Sequence, residues 1–90
     1  MSDDIVFRLR DEGLAAQSLD EEIVVLDLRS STYLLLNATG AILWPPLQTG
    51  ATMPALARVL VDEFAIDDAD ALRDATTFVT ELQRLGLLDA

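Results

Sequence analysis

The first half of the chain contains three short stretches rich in β-branched and aromatic residues, separated by polar turns. These stretches predict strands at Ile5–Leu9, Glu22–Leu28 and Thr32–Leu36. The polar tripeptide Arg29–Ser31 fits a tight turn, so the last two strands form a predicted antiparallel hairpin. We expect Thr32–Leu36, which is short and uncharged, to lie at the edge of the sheet.

The hydrophobic period changes from strand to helix at Asn37. Asparagine is a favoured N-cap, because its side-chain oxygen accepts from an amide of the first helical turn. The sequence therefore predicts a first helix from Ala38 to about Trp44. Pro45 and Pro46 remove amide donors, so we expect the helix to stop or kink there. We also expect Trp44 to be at least partly buried between sheet and helices.

Two further helices are predicted in the second half. Thr52 caps one of them, and its apolar stripe consists of Leu56, Val59, Leu60 and Phe64. Asp67 caps the last helix and Gly86 closes it. Its core face is predicted to carry Ala71, Ala75, Phe78, Val79, Leu82 and Leu85. The order of elements predicts one α+β domain over residues 1–90, with a three-stranded antiparallel sheet followed by three helices.

The charge distribution has one conspicuous gap. No Asp, Glu, Lys or Arg occurs from Ser30 to Ala57, although 22 of the 90 residues are charged. Chance would place about seven charges in a window of that length. Such a gap is typical of a core-forming segment, or of a core whose rim stays apolar for a partner.

Composition restricts the chemistry. The chain has no cysteine, histidine or lysine, so disulfides, zinc clusters, thiol chemistry and the usual general bases are excluded. We expect no catalytic residue, no metal site and no cofactor. The composition argues against an independent enzyme. The start lacks a signal-peptide pattern and no apolar run reaches transmembrane length, so we expect a soluble cytoplasmic protein.

The order of these features resembles the PqqD-like family of peptide-recognition domains. The resemblance is carried by the hairpin VVLDLRSSTYLLLNATGAILW, the Thr-capped helix after it, and the final helix ending in FVTELQRLGLL. Its most specific part is the tyrosine strand that leads into Leu36, Asn37, Thr39 and Gly40. It extends from about Glu22 nearly to the end and is strongest with the small stand-alone members of lasso-peptide biosynthetic systems. The chain departs from the family at Trp44–Pro46, where such domains usually continue the helix.

The resemblance implies a winged helix-turn-helix-like fold that binds the leader segment of a precursor peptide. The leader would add as an antiparallel strand to Thr32–Leu36, in the cleft between that strand and the last helix. The implied partners are the precursor leader peptide, a transglutaminase-like cysteine protease that removes the leader, and an asparagine-synthetase-like cyclase. An uncharged edge suits this role, because an unpaired charge under a docked strand would be costly.

The expected binding residues follow from this placement. The docking edge comprises Thr32, Tyr33, Leu34, Leu35 and Leu36. Leu34 and Leu36 share one face of the strand, which we expect to point toward the helices. The opposite wall is predicted on the flank of the last helix, at Leu72, Thr76, Val79 and Gln83.

Two alternatives use the same architecture. A DNA-binding regulator would need a basic surface, but the net charge is -10 and Asp67–Leu88 holds five acidic residues against two arginines. DNA binding is therefore disfavoured. A related recognition domain that serves another peptide-modifying enzyme, such as a radical enzyme of cofactor biosynthesis, remains open.

Overall fold

The computed structural model of the protein describes residues 5–20 and 22–89. A three-stranded antiparallel sheet is followed by three helices, which confirms the predicted α+β architecture. In chain order the elements are β1 (Val6–Phe7), β2 (Leu14–Leu19), β3 (Glu22–Asp27), β4 (Thr32–Leu36), α1 (Ala38–Thr49), β5 (Ala51–Thr52), α2 (Met53–Phe64) and α3 (Asp68–Arg84).

The membership of the sheet differs from the prediction in one strand. The sheet has the order β2-β3-β4, so its first strand is Leu14–Leu19 and not Ile5–Leu9. The earlier segment pairs elsewhere: β1 lies antiparallel to β5, and Leu9 bridges to Leu88. Residues 14–19 read LAAQSL and have low strand propensity. They form a strand through their pairing with β3 and not through their own propensity.

The first helix continues through both prolines to Thr49, so the expected stop at Trp44 is wrong. An interior proline removes a helical hydrogen bond and costs ~3 kcal/mol. Here the second half of α1 is held by tertiary contacts. The side chain of Leu47 is fully buried, and its carbonyl accepts from the Leu9 amide at 2.9 Å. Ending the helix at Trp44 would withdraw Leu47 from the core.

The predicted helix caps are confirmed. Asn37 Oδ1 accepts from the Gly40 amide at 3.0 Å, and Thr52 Oγ1 accepts from the α2 amide of residue 55 at 3.3 Å. The Asp67 carboxylate accepts from the α3 amide of residue 70 at 2.7 Å. Gly86, just past α3, has a φ of 74°, which glycine adopts without strain. These caps set where α1 leaves β4 and where α3 ends.

The core lies between the inner face of the sheet and the three helices. Trp44 is 3% exposed, which confirms its predicted burial. Phe78 and Leu85, predicted on the core face of α3, are only partly covered. None of the helices among the described residues is long and apolar enough to cross a membrane. The buried apolar set is Leu9, Val25, Leu36, Leu43, Trp44, Leu47, Leu56, Leu60, Ala71, Ala75, Val79, Leu82 and Leu87.

Candidate peptide-binding cleft

The backbone of β3 determines which groups of β4 remain free. In an antiparallel pair, successive residues direct their N–H and C=O groups alternately toward the partner strand and away from it. The Leu28 amide donates to the Gly13 carbonyl at 2.8 Å, in line with the β2-β3 register. The N–H and C=O groups of Leu28, and of every second residue before it, therefore point toward β2. Those of the alternate residues of β3 point toward β4; these residues are Ile23, Val25 and Asp27.

The β3-β4 register then fixes the free edge. Ile23, Val25 and Asp27 pair with Leu36, Leu34 and Thr32, respectively. Tyr33 and Leu35 accordingly direct their N–H and C=O groups away from the sheet. Within residues 5–20 and 22–89, β4 has only β3 as a neighbouring strand, so these groups form a free edge.

The side chains of β4 alternate as predicted. Leu36 is buried and Leu34 half-buried, so this pair faces the helices. Tyr33 and Leu35 are 76% and 53% exposed on the opposite face. The strand thus offers apolar side chains to the helix side and main-chain groups at its edge.

A cavity of about 310 Å³ lies beside β4. A second cavity of about 350 Å³ lies farther along α3, and Glu81 lines both of them. We call the two together the β4–α3 groove. The first cavity is lined by Val25, Asp27, Thr32, Tyr33, Leu34, Glu81, Arg84, Leu85 and Leu87, and the second by Asn37, Thr39, Asp74, Thr77, Phe78 and Glu81.

The helix residues predicted for the opposite wall do not line this groove. Leu72 lines a separate cavity with Arg58 of α2, and Val79 is buried in the core. Thr76 and Gln83 are exposed, and the Thr76 hydroxyl donates to the Leu72 carbonyl.

The wall is formed instead by the other flank of α3. An apolar stripe defines the core face of a helix, but two flanks adjoin that face and the helical period does not distinguish them. The docking of α3 on the sheet turns Phe78, Glu81 and Leu85 toward β4. The sequence predicts Phe78 and Leu85 on the core face of α3. Their position at the margin of that apolar stripe is the feature of the sequence that indicates this flank as the groove wall.

Gly40 has a packing role at this groove. A Cβ atom at this position would lie 3.0 Å from Cε1 of Phe78 and 3.2 Å from Cβ of Leu36. The absent side chain lets the Phe78 ring pack against the start of α1. Gly40 thereby sets the position of one groove wall.

A largely buried ion pair adjoins the groove at Asp27. Nη2 of Arg10 donates to Asp27 Oδ1 at 2.8 Å, and the Arg29 amide donates to the same oxygen at 3.0 Å. Asp27 is only 8% exposed. The same guanidinium donates to the carbonyls of Gly86 and Glu12 at 2.7 and 3.0 Å. Arg10 therefore ties the chain after β1, strand β3 and the end of α3 together.

This environment changes the acidity of Asp27. Burial raises the pKa of the carboxyl, but hydrogen bonds from Arg10, the Arg29 amide and Ser30 outweigh it, and the net pKa lies below the usual range. Because the pKa of Asp27 is lower in the folded protein than in the unfolded chain, its ionised carboxylate stabilises the fold at pH values above the unfolded-state pKa. This stabilisation is lost as the pH falls through the folded-state pKa.

We expect Asp27→Asn to lower the free energy of unfolding at neutral pH, because the substitution removes the ion pair. The difference in the free energy of unfolding between wild type and variant should become smaller as the pH falls through the range in which carboxyl groups titrate. Urea unfolding at a series of pH values measures both effects. A gap of constant size at every pH would contradict this assignment.

A second ion pair lies on the rim. Arg84 is hydrogen-bonded to Glu81 one turn earlier in α3, which raises the pKa of the arginine and lowers that of the glutamate. Both side chains are about half exposed or more, so the pair contributes little to stability.

A free strand edge beside a partly apolar groove is the geometry of domains that bind extended peptides by strand addition. Residues 22–88 match the family model described as Coenzyme PQQ synthesis protein D (PqqD). The chain therefore belongs to the PqqD family, as a PqqD-like recognition element. No curated protein sequence matches the chain.

Two solved structures are similar over nearly the whole chain. One, "TbiB1 in Complex with the TbiA(beta) Leader Peptide", has a TM-score of 0.83 and 26% identity, covering 92% of this chain and 95% of its own. The other, "Lasso peptide synthetase B1 complexed with the leader peptide", has a TM-score of 0.80 and 33% identity, covering 93% and 98%. Both proteins are described as bound to a leader peptide.

Proposed function

We propose that this protein is a non-catalytic adaptor that binds the leader segment of a ribosomal precursor peptide as an added strand on β4. The observation that carries the proposal is the free edge at Tyr33 and Leu35 beside the β4–α3 groove. Similar proteins support the proposal, because both solved structures are described as leader-peptide complexes.

The register defines how an antiparallel leader would bind. Leader residues opposite Tyr33 and Leu35 would each exchange two main-chain hydrogen bonds with the edge. Such bonds contribute a net ~1 kcal/mol each and do not distinguish sequences. Leader residues opposite Leu34 and Leu36 would direct their side chains toward the groove. Selectivity therefore comes from apolar anchors at alternate leader positions, for which the family resemblance suggests an aromatic residue and a proline.

The docking edge retains all five residues expected from the sequence, Thr32 to Leu36, as binding candidates. The proposed opposite wall now consists of Phe78, Glu81, Arg84 and Leu85. Leu72, Thr76, Val79 and Gln83 do not line the groove, so we leave them out of the proposed contact.

We assign the adaptor to lasso-peptide maturation, with a transglutaminase-like leader peptidase and an asparagine-synthetase-like cyclase as partners. The whole-chain similarity to lasso peptide synthetase B1 supports this assignment. The alternative, service to a radical enzyme of cofactor biosynthesis, is supported only by the family description, and that match covers residues 22–88.

Leader removal in trans tests the proposal. With purified precursor and peptidase, adding this protein should accelerate cleavage and lower the apparent KM more than it raises kcat, because binding increases the local concentration of the leader at the protease. The absence of histidine, lysine and cysteine supports a role without chemistry of its own. Cleavage of the precursor by this protein alone, or no acceleration when all three are combined, would overturn the adaptor.

A further inference from the structure

The two cavities of the β4–α3 groove differ in charge. The second cavity, which we call the acidic cavity, is bordered by the carboxylates of Asp74 and Glu81, and none of the described residues that line it is basic. The first cavity is lined by Arg84, and its buried carboxylate, Asp27, is already paired with Arg10. One end of the groove is therefore acidic, whereas the other end carries a cation.

The Asp74 carboxylate is the less neutralised of the two. Its distance to Nε of Arg73 is 4.0 Å, whereas the same guanidinium lies 2.9 Å from Asp70. Glu81, by contrast, is hydrogen-bonded to Arg84. Both carboxylates that border the acidic cavity are nearly half exposed, so each can accept hydrogen bonds from a ligand in the groove.

An apolar surface adjoins both carboxylates. Asp74, Phe78 and Glu81 are spaced four and three residues apart in α3, so they lie on one face of the helix with Phe78 in the middle. The Phe78 ring is half-buried, and Gly40 leaves room for it at the groove wall. Arginine and lysine pack their methylene stems on apolar surface while the charged head stays in water. The acidic cavity offers both of the surfaces that such a side chain needs.

The direction of an antiparallel leader decides which end of it reaches the acidic cavity. Strand β4 runs from Thr32 to Leu36 and leads into Asn37, which lines that cavity. An antiparallel leader runs the other way, so its amino-terminal end lies at the acidic cavity and its carboxyl-terminal end near Arg84. The leader residues opposite Leu34 and Leu36 face the groove. By the same alternation, the next residue to face it at the acidic end comes two positions earlier in the leader.

We propose that the acidic cavity selects an arginine or lysine two residues before the leader residue that lies opposite Leu36. This inference rests on the proposed strand addition and adds the chemistry of one leader position to it. The basic side chain packs on Phe78 and pairs with Asp74 and Glu81. At the other end of the leader the same side chain would meet Arg84. The groove thereby favours one leader direction as well as one residue type.

Two isomeric heptapeptides, acetylated and amidated, test the inference. They are Arg-Thr-Leu-Thr-Val-Thr-Ser and Ser-Thr-Leu-Thr-Val-Thr-Arg. In both, the leucine falls opposite Leu36 and the valine opposite Leu34, and only the position of the arginine differs. The net charge of -10 attracts both isomers equally, so a difference between them reports the site itself. Titration in two-dimensional NMR gives each Kd from the amide shifts of Tyr33 and Leu35.

We expect the peptide with the amino-terminal arginine to bind about fivefold more tightly, as two exposed ion pairs allow, and this preference to shrink at high ionic strength. Asp74→Asn should remove most of the preference. Asp68→Asn is the matched control, because it makes the same charge change on α3 at a residue that lines a different cavity. This control variant should keep the preference.

The outcomes separate this subsite from the leader edge. If both isomers shifted the Tyr33 and Leu35 amides with equal Kd, the subsite would be overturned and the edge would stand. A preference for the carboxyl-terminal arginine, or one that persisted unchanged in Asp74→Asn, would also overturn the subsite. If neither peptide shifted those amides, strand addition itself would fail, and the subsite with it.

Discussion

Leu35→Pro is expected to weaken leader binding by about a hundredfold or more, because two effects act together. The substitution removes an N–H group that points to the free edge, and the proline ring occupies the space of the incoming strand. The β3-β4 ladder uses the backbone groups of Leu34 and not those of Leu35, so the sheet itself should persist. Fluorescence anisotropy with a labelled leader peptide measures the loss.

Ser18→Pro provides the matched control. Ser18 also directs its N–H away from β3, but at the opposite edge of the sheet. Both variants should keep wild-type circular dichroism, and only Leu35→Pro should lose the leader. If the folded Leu35→Pro variant bound normally, or both prolines weakened binding equally, the leader would not pair with β4 in this register.

Leu34→Ala is expected to weaken leader binding by about tenfold, since truncation removes roughly half of the ~1.5–3 kcal/mol that burial of a leucine contributes. Leu34 is half-buried and lines the groove, so a docked leader would cover the rest of its side chain. The side-chain loss should appear mainly in the dissociation rate, because the main-chain edge stays intact. Stopped-flow dissociation of a labelled leader gives that rate.

Arg58→Ala is the comparison for Leu34→Ala. Arg58 lies on α2, pairs with Asp62 at 3.4 Å and lines a cavity away from β4. Its replacement should change leader affinity by no more than about twofold, as expected for an exposed charge outside the site. Equal losses in the two folded variants would place the leader elsewhere on the surface.

The local features of this protein follow from the sequence because their causes are local. Asn37, Thr52 and Asp67 cap helices through bonds to amides three residues away, so neighbouring residues suffice to predict them. The β3-β4 hairpin and the two faces of β4 follow from alternation over a few residues. The uncharged run from Ser30 to Ala57 likewise marked the strand that lies at the sheet edge.

Other features depend on contacts between distant segments. Residues 14–19 form a strand through pairing with the distant strand β3, and α1 passes its prolines because Leu47 is held in the core. The flank of α3 that faces β4 is set by helix docking, which a 3.6-residue period leaves undetermined. The Arg10–Asp27 pair also joins segments that are far apart in the chain. Such features are decided by packing over the whole fold, where burial and hydrogen-bond satisfaction outweigh local propensity.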